Sequence, residues 1–368
     1  MAAVNRRYDM DWIRVIAIGL LLVYHVAIGF QPWGLMIGFI TNAESWSSLW
    51  FPMTALNVWR IPLLFFVSGM GVYFAMQNRD WKTLLRERAG RIFVPYLFGA
   101  AAIVPIHLYL TSRYYAMSFQ YRPDPAHLWF LGNIFVYFLL FLPVFYALKH
   151  YEHSAFAQGL KRMFRTPLGL LPVLALFVAE AVLINPRPFE LYANTWHGFF
   201  LGLIAFVAGF LFVYSGSIFW SMLLQWRWLF LLAAVGLYAV RLVYLKLNAP
   251  GYLLTIESNS WILAIFAFGH KHLNRPGKAL HYLSAAAYPV YILHMVFIYL
   301  GALLLFPLAI AAPIKFVLLL VFTAAGSLGV YESVVRRFTI TRVLFGLNAG
   351  LSPERKNVTE LSTPNDAR

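Results

Sequence analysis

The sequence predicts an all-α protein: a polytopic membrane helical bundle of about ten transmembrane helices, with both termini cytoplasmic. Three observations predict it. Of 368 residues, 61% are hydrophobic and only 12% charged, against roughly 45–50% and about 25% in soluble domains. Mean hydropathy is +0.69, more apolar surface than a water-soluble chain can bury, which excludes soluble enzymes along with disordered and fibrous classes. The 29 Lys+Arg outnumber the 14 Asp+Glu, for a net charge of +15, yet no basic run is dense enough for a nucleic-acid arm, so nucleic acid is not an expected partner. The lipid bilayer is. The chain has no cysteine, which excludes disulfides, a thiolate nucleophile and Cys-ligated metal.

A spanning helix needs roughly 20 apolar residues. The first run, 11–31, is too long for a signal-peptide core and has no small-residue cleavage site after it, so it is expected to stay as the first span. The others are predicted near 55–76, 92–111, 128–148, 167–185, 196–214, 228–247, 256–272, 281–303 and 312–335. Ten spans bring both termini to one side. On that side fall 21 of the basic residues, from Arg6 and Arg7 through Arg79, Lys82, Arg86, Arg88 and Arg91 to Arg368; the other side has five, Arg113, Arg122, Arg187, Lys246 and Lys315. The asymmetry puts the basic side in the cytoplasm. Loops 31–54, with Trp33, Trp46 and Trp50, and 112–127 then form an outer aromatic belt, or alternatively a mouth for a sugar-like ligand. Residues 1–345 form one membrane domain, and 346–368 a polar cytoplasmic tail expected to be disordered.

Polar residues inside spans are costly and therefore informative. Asp11, Arg14 and His25 share the first span. The 11-residue step from Arg14 to His25 returns to nearly the same helix face, roughly 16 Å further along. One face thus offers an anion contact near the cytoplasmic end and an imidazole in the outer half, and Asp11 can hold Arg14 at i,i+3. Taken singly, Arg14 also reads as a snorkelling charge and His25 as a helix-contact residue. Arg60 starts its span near the depth of His25, as oxyanion stabiliser, acceptor contact or structural ion pair. Glu180 and Arg241, both in outer halves of spans, are expected to pair. The histidines lack HExxH or comparable spacing, so no metal site is expected. Neither a P-loop nor a GxGxxG opening a helix is present.

The ordered motifs resemble a known family. Asp11-x-x-Arg14-x10-His25 is similar to the first-helix signature of the membrane-bound acyltransferase family 3. Trp59-Arg60-Ile-Pro-Leu-Leu-Phe-Phe-Val-Ser68-Gly69 resembles its second helix, and Arg86-x-Arg88-x-x-Arg91 through Pro95-Tyr96 its basic turn into the third. His127-Leu-Trp129 resembles the start of its fourth helix, and Tyr288-Pro-Val-Tyr-Ile-Leu-His294 its late Tyr-x-Leu-His helix. Glu257-Ser258, Phe268-Gly-His270 and Tyr331-Glu332 look closest to the glucan succinyltransferase (glucans biosynthesis protein C) branch.

The resemblance implies an integral-membrane O-acyltransferase, of the class that transfers groups other than aminoacyl groups, in a bacterial inner membrane. It moves an acyl group from cytoplasmic acyl-CoA, succinyl-CoA or acetyl-CoA, to a hydroxyl of a glycan or lipid acceptor at the outer face. His25 is the expected general base, since burial keeps an imidazole neutral, with Arg14, Asp11 and Arg60 completing the catalytic set. Arg88 and Arg91, then Arg86, are the expected CoA-phosphate contacts. His127, Trp129, Glu257 and His294 are candidate acceptor contacts, with packing as the other reading of His294. Trp196 and His197 are weaker candidates for the same role. The chain is compatible with a homo-oligomer. The alternative function is a transporter or flippase that uses the buried Arg and His as couplers.

Overall fold

The computed structural model describes residues 7–348, so the basic residues and the polar tail beyond those limits lie outside the described residues. In hydrocarbon a backbone N–H has no water to bond, so each long apolar run closes its hydrogen bonds within itself as a helix. Among the described residues nine helical segments are long and apolar enough to cross a bilayer. They are α1 (Tyr8–Ile28), α2 (Ser47–Met76), α3 (Trp81–Tyr114), α4 (Ala126–His150), α5 (Pro167–Ile184), α6 (Trp196–Tyr214), and, beyond one further helix, Gly251–His272, Lys278–Leu305 and Ala312–Val335. The further helix is α7 (Arg227–Val243), which makes the last three α8, α9 and α10.

At 17 residues α7 falls short of the length of a full span, and it is bent by 60° from the helix before it, Ser217–Gln225. Even so, it runs alongside α8. The Trp228 ring lies 5.1 Å from Phe268, and Arg241 Nε lies 2.8 Å from Glu257 Oε2. Those contacts pair the two helices antiparallel over about 20 Å of α7, and counting the bent pair as one span brings the candidate crossings among the described residues to ten.

The bundle is densest between α2 and α6. A Cβ on Gly69 would fall on the Phe206 carbonyl, and one on Gly209 on the Phe66 carbonyl. Two glycines therefore let the backbones touch, the usual way membrane helices gain close packing. Stacked aromatic rings fill the space beside this crossing, Phe145 on Phe210 at 3.7 Å among them.

At 34 residues α3 is about 51 Å long, well beyond a hydrocarbon core of roughly 30 Å. The basic stretch from Arg86 to Arg91, read above as a loop, is instead part of this helix. Asp80 caps its start, accepting a hydrogen bond from the Thr83 N–H, which holds the Asp80 carboxyl below its ordinary pKa. Two π-helical turns, Ala89–Phe93 and Gly99–Ile103, precede or flank Pro95 and Pro105, residues that cannot donate to a regular helix. The Ala100 carbonyl accepts from the Asp124 N–H at 3.1 Å and the Ala101 carbonyl from the Tyr121 hydroxyl at 3.0 Å.

Residues 115–125, part of the segment expected to form the outer aromatic belt, consequently fold back along α3 by about 20 Å. The Tyr109 and Phe119 rings meet along the way, 5.5 Å apart. At the same end of the bundle, Trp33 packs edge-on to Trp50 at 4.6 Å.

Candidate active site

Two cavities lie along the bundle. The proximal cavity, at the end holding the N-terminus of α1, has a volume of about 500 Å³; the distal cavity has about 320 Å³. Leu64, Phe130 and Tyr291 line both, so the two meet end to end at these side chains.

Four arginines, Arg14, Arg79, Arg88 and Arg91, line the proximal cavity against a single carboxylate, Glu87. Glu87 is held by Arg79 at 2.9 Å, which leaves the cavity strongly positive. Arg88 Nη2 donates to the Gly71 carbonyl at 2.8 Å, which pins the guanidinium against α2. Arg91 donates to Asn348 at the cavity rim. Helical phase explains the selection. Arg88 and Arg91 are one turn apart on one face of α3, whereas Arg86 points away, exposed and outside the cavity lining. Of the three arginines expected to contact CoA phosphates, Arg88 and Arg91 therefore line the cavity and Arg86 does not.

Arg14 and His25 occupy the same face of α1, and each faces a different cavity. Asp11 sits 3.7 Å from Arg14, at i,i+3. Arg14 thus lines the proximal cavity, with Asp11 beside it, about 16 Å along the helix from His25.

The distal cavity is lined by His25, Arg60, His127 and Trp129 of the expected residues, together with Tyr24, His107, Glu190, Tyr192 and Tyr299. The fold-back of 115–125 sets up the start of α4: Asp124 accepts from the Ala126 N–H at 2.8 Å, and His127 follows. His127 Nε2 donates to the Ile292 carbonyl at 3.2 Å, and its Nδ1 is left buried with no partner.

His294 is not a lining residue of the distal cavity. It is fully buried behind His25, with its Nε2 2.9 Å from His25 Nδ1 and the two rings within 4° of parallel. The hydrogen-bond network assigns the tautomers. A carbonyl can only accept, so His294 Nδ1 donates to the Tyr291 carbonyl, 2.6 Å away. In a neutral ring its Nε2 is then a lone pair, so the hydrogen of that bond belongs to His25 Nδ1. His25 Nε2 is left unprotonated. Of the two readings of His294, acceptor contact and packing, the geometry gives a packed residue whose contact is His25.

Glu257 also falls outside the cavity lining. Arg241 donates to both its carboxylate oxygens at 2.8 Å and to the Thr54 carbonyl at 2.8 Å, and both side chains are almost fully buried. Glu180 pairs instead with His197, at 2.7 Å. The expected Glu180–Arg241 pair is thus replaced by two separate buried pairs, and neither Glu257 nor His197 lines the distal cavity. Ser68 lines the proximal cavity but donates to the Leu64 carbonyl at 2.7 Å. At the proximal end, Asp9 is buried and accepts from Arg7 and His270, so His270 is a packing partner there. No group of three or more His, Cys, Asp or Glu suited to a metal ion occurs among the described residues.

Sequence reasoning missed Arg79, Tyr24, His107, Tyr288 and Tyr291 as lining residues. Tyr291 opens the Tyr-x-Leu-His motif and Tyr288 precedes it by one helical turn, a spacing that puts them on one face.

Among the described residues, nine candidate spans and a bent helix pair surround two joined cavities, one basic and one histidine-bearing, which defines a multi-pass helical membrane protein. The family model of the acyltransferase domain (acyltransferase 3) matches residues 7–332. The chain belongs to this family and is a membrane acyltransferase. No curated protein matches it. No solved structure matches it either.

Proposed function

We propose that the protein transfers an acyl group from cytoplasmic acyl-CoA, through the middle of the membrane, to a hydroxyl of a glycan or lipid acceptor at the outer face. The observation that carries this reading is the meeting of the two cavities at Leu64, Phe130 and Tyr291, with arginines on one side and His25 on the other. The excess of basic residues at the proximal end supports a cytoplasmic position for that end, and the family resemblance supports a bacterial inner membrane.

CoA carries several negative charges. Arg88 and Arg91 are the phosphate contacts in this reading, with Arg14 and Arg79 adding to the positive field. The pantetheine arm then points along the cavity axis and brings the thioester to the junction. Tyr288, one turn from Tyr291, faces the proximal cavity with a buried hydroxyl that has no partner. It is suited to donate to the thioester oxygen as negative charge builds there.

The acceptor hydroxyl approaches from the distal cavity. His25 Nε2 takes its proton as the oxygen attacks the thioester carbonyl. The C–O bond forms, the C–S bond breaks, and His25 returns the proton to the departing thiolate. The products are the ester and CoA thiol, and His25 ends neutral. No acyl-enzyme is needed, and the chain has no cysteine to form one. Succinyl and acetyl are the acyl groups to test first, with a glucan as acceptor, following the resemblance to the glucan succinyltransferase branch.

The test is CoA release by purified protein in detergent with succinyl- or acetyl-CoA and a glucan. Wild type should release CoA and His25→Ala should lose at least about 100-fold of that rate while still binding acyl-CoA. Equal rates from the two proteins would sink the base assignment, and a wild type that neither binds nor consumes acyl-CoA would sink the donor.

A further inference from the structure

We propose that the distal cavity takes an acceptor bearing an anionic group, a carboxylate or phosphate, seated on Arg60 beside the hydroxyl that is acylated. The proposal rests on the acyltransferase reading and names its acceptor class. Arg60 is only 3% exposed and lines the distal cavity, yet its Nε and Nη1 have no hydrogen-bond partner. It takes part in none of the ion pairs among the described residues.

Arg241 supplies the contrast within the same molecule. It is equally buried, but both oxygens of Glu257 and the Thr54 carbonyl satisfy it. Where a buried arginine serves the fold, the fold provides its partners. A buried guanidinium without them is costly, and an incoming anion removes that cost.

The geometry around Arg60 is prepared for such a ligand. The Tyr24 ring lies under the guanidinium, 3.6 Å from centroid to Cζ, and fixes its plane. A guanidinium held in plane can present two parallel N–H bonds to a carboxylate or phosphate. Arg60 is one turn of α2 from Leu64, the side chain shared with the proximal cavity. The anion would thus sit about 6 Å beyond the junction, the separation between a reacting hydroxyl and an acid group on the same or the adjoining sugar. The bare Nδ1 of His127 and the Glu190 carboxylate, in the same cavity, can accept hydrogen bonds from sugar hydroxyls.

The experiment is calorimetric titration of the purified full-length protein with methyl glucuronide, methyl glucoside and glucose 6-phosphate, without acyl-CoA. Wild type should bind at least one of the two anionic sugars tenfold or more tightly than the glucoside, and comparison of the two names the anion. Arg60→Met should bring that ratio close to one, and Arg60→Lys should keep part of it, with unfolding temperature checked for both. Three results would overturn the proposal: no anionic preference in wild type, including no binding of either acid; a preference untouched by Arg60→Met; or a change confined to succinyl-CoA against acetyl-CoA. A parallel acyl-CoA titration separates the two claims, because failure there removes the donor reading and leaves the sugar ratio to be judged alone.

Discussion

His25 Nδ1 and His294 Nε2 share one hydrogen bond, 2.9 Å long, between rings within 4° of parallel. The bond has a direction, because the Tyr291 carbonyl has already taken the other hydrogen of His294. The consequence is that His25, a residue of the cavity wall, keeps its Nε2 unprotonated. In the proposed reaction, His294 would do for His25 what a carboxylate does in a hydrolase triad, holding the tautomer and accommodating the imidazolium, but without a charge to desolvate.

That relationship predicts a split between two substitutions. His294→Leu removes the acceptor and should lower kcat by about 10- to 100-fold with KM little changed, a share of the roughly 10²–10⁴-fold that a general base contributes. His294→Gln offers a carbonyl oxygen to the same Nδ1–H and should recover most of the rate. Steady-state kinetics on both variants decides it. Equal losses in the two, or a loss confined to KM, would assign His294 to packing alone.

The donor cavity predicts a contrast along α3. Arg88→Ala should weaken acyl-CoA binding by about 10- to 100-fold, the scale of a lost charge-assisted hydrogen bond of about 1.5–3 kcal/mol. Arg86→Ala, outside the lining, should change it less than about twofold. Direct titration with acyl-CoA at two salt concentrations checks both, since a phosphate contact weakens as salt rises. If Arg86→Ala costs as much as Arg88→Ala, the basic stretch acts only through its overall charge.

The Arg241–Glu257 pair predicts a stability effect with no kinetic signature. Glu257→Ala leaves a buried guanidinium with only the Thr54 carbonyl, and should cost about 3–5 kcal/mol. Thermal unfolding in detergent should register the loss. The folded fraction should keep the wild-type KM for both substrates, because neither residue lines a cavity. A raised acceptor KM would return Glu257 to the binding site.

How much of this was legible in the sequence depends on whether the signal was periodic or spatial. The span count followed from apolar run length, and the shared face of Arg14 and His25 from an 11-residue step. Helical phase also separates Arg86 from Arg88 and Arg91, but only once 81–91 is read as helix, and its density of charge hid that. The His25–His294 bond joins residues 269 positions apart, and no local pattern encodes it. Partner choice among Glu180, His197, Arg241 and Glu257 was likewise hidden. All four are polar residues inside or at the ends of apolar spans, and only the packing of α7 on α8 and of α5 on α6 decides which of them meet. The return of 115–125 along α3 depends on carbonyls freed at a π-helical turn, which residue type alone does not announce.

The central claim is that donor and acceptor enter from opposite ends and react where the two cavities meet. Purified protein in sealed vesicles, of known orientation, tests it with acyl-labelled CoA on one side and a glucan acceptor on the other. Labelled acceptor is expected only when acyl-CoA faces the arginine-lined end and the glucan the opposite end. Label transferred only when both substrates share one side would contradict it.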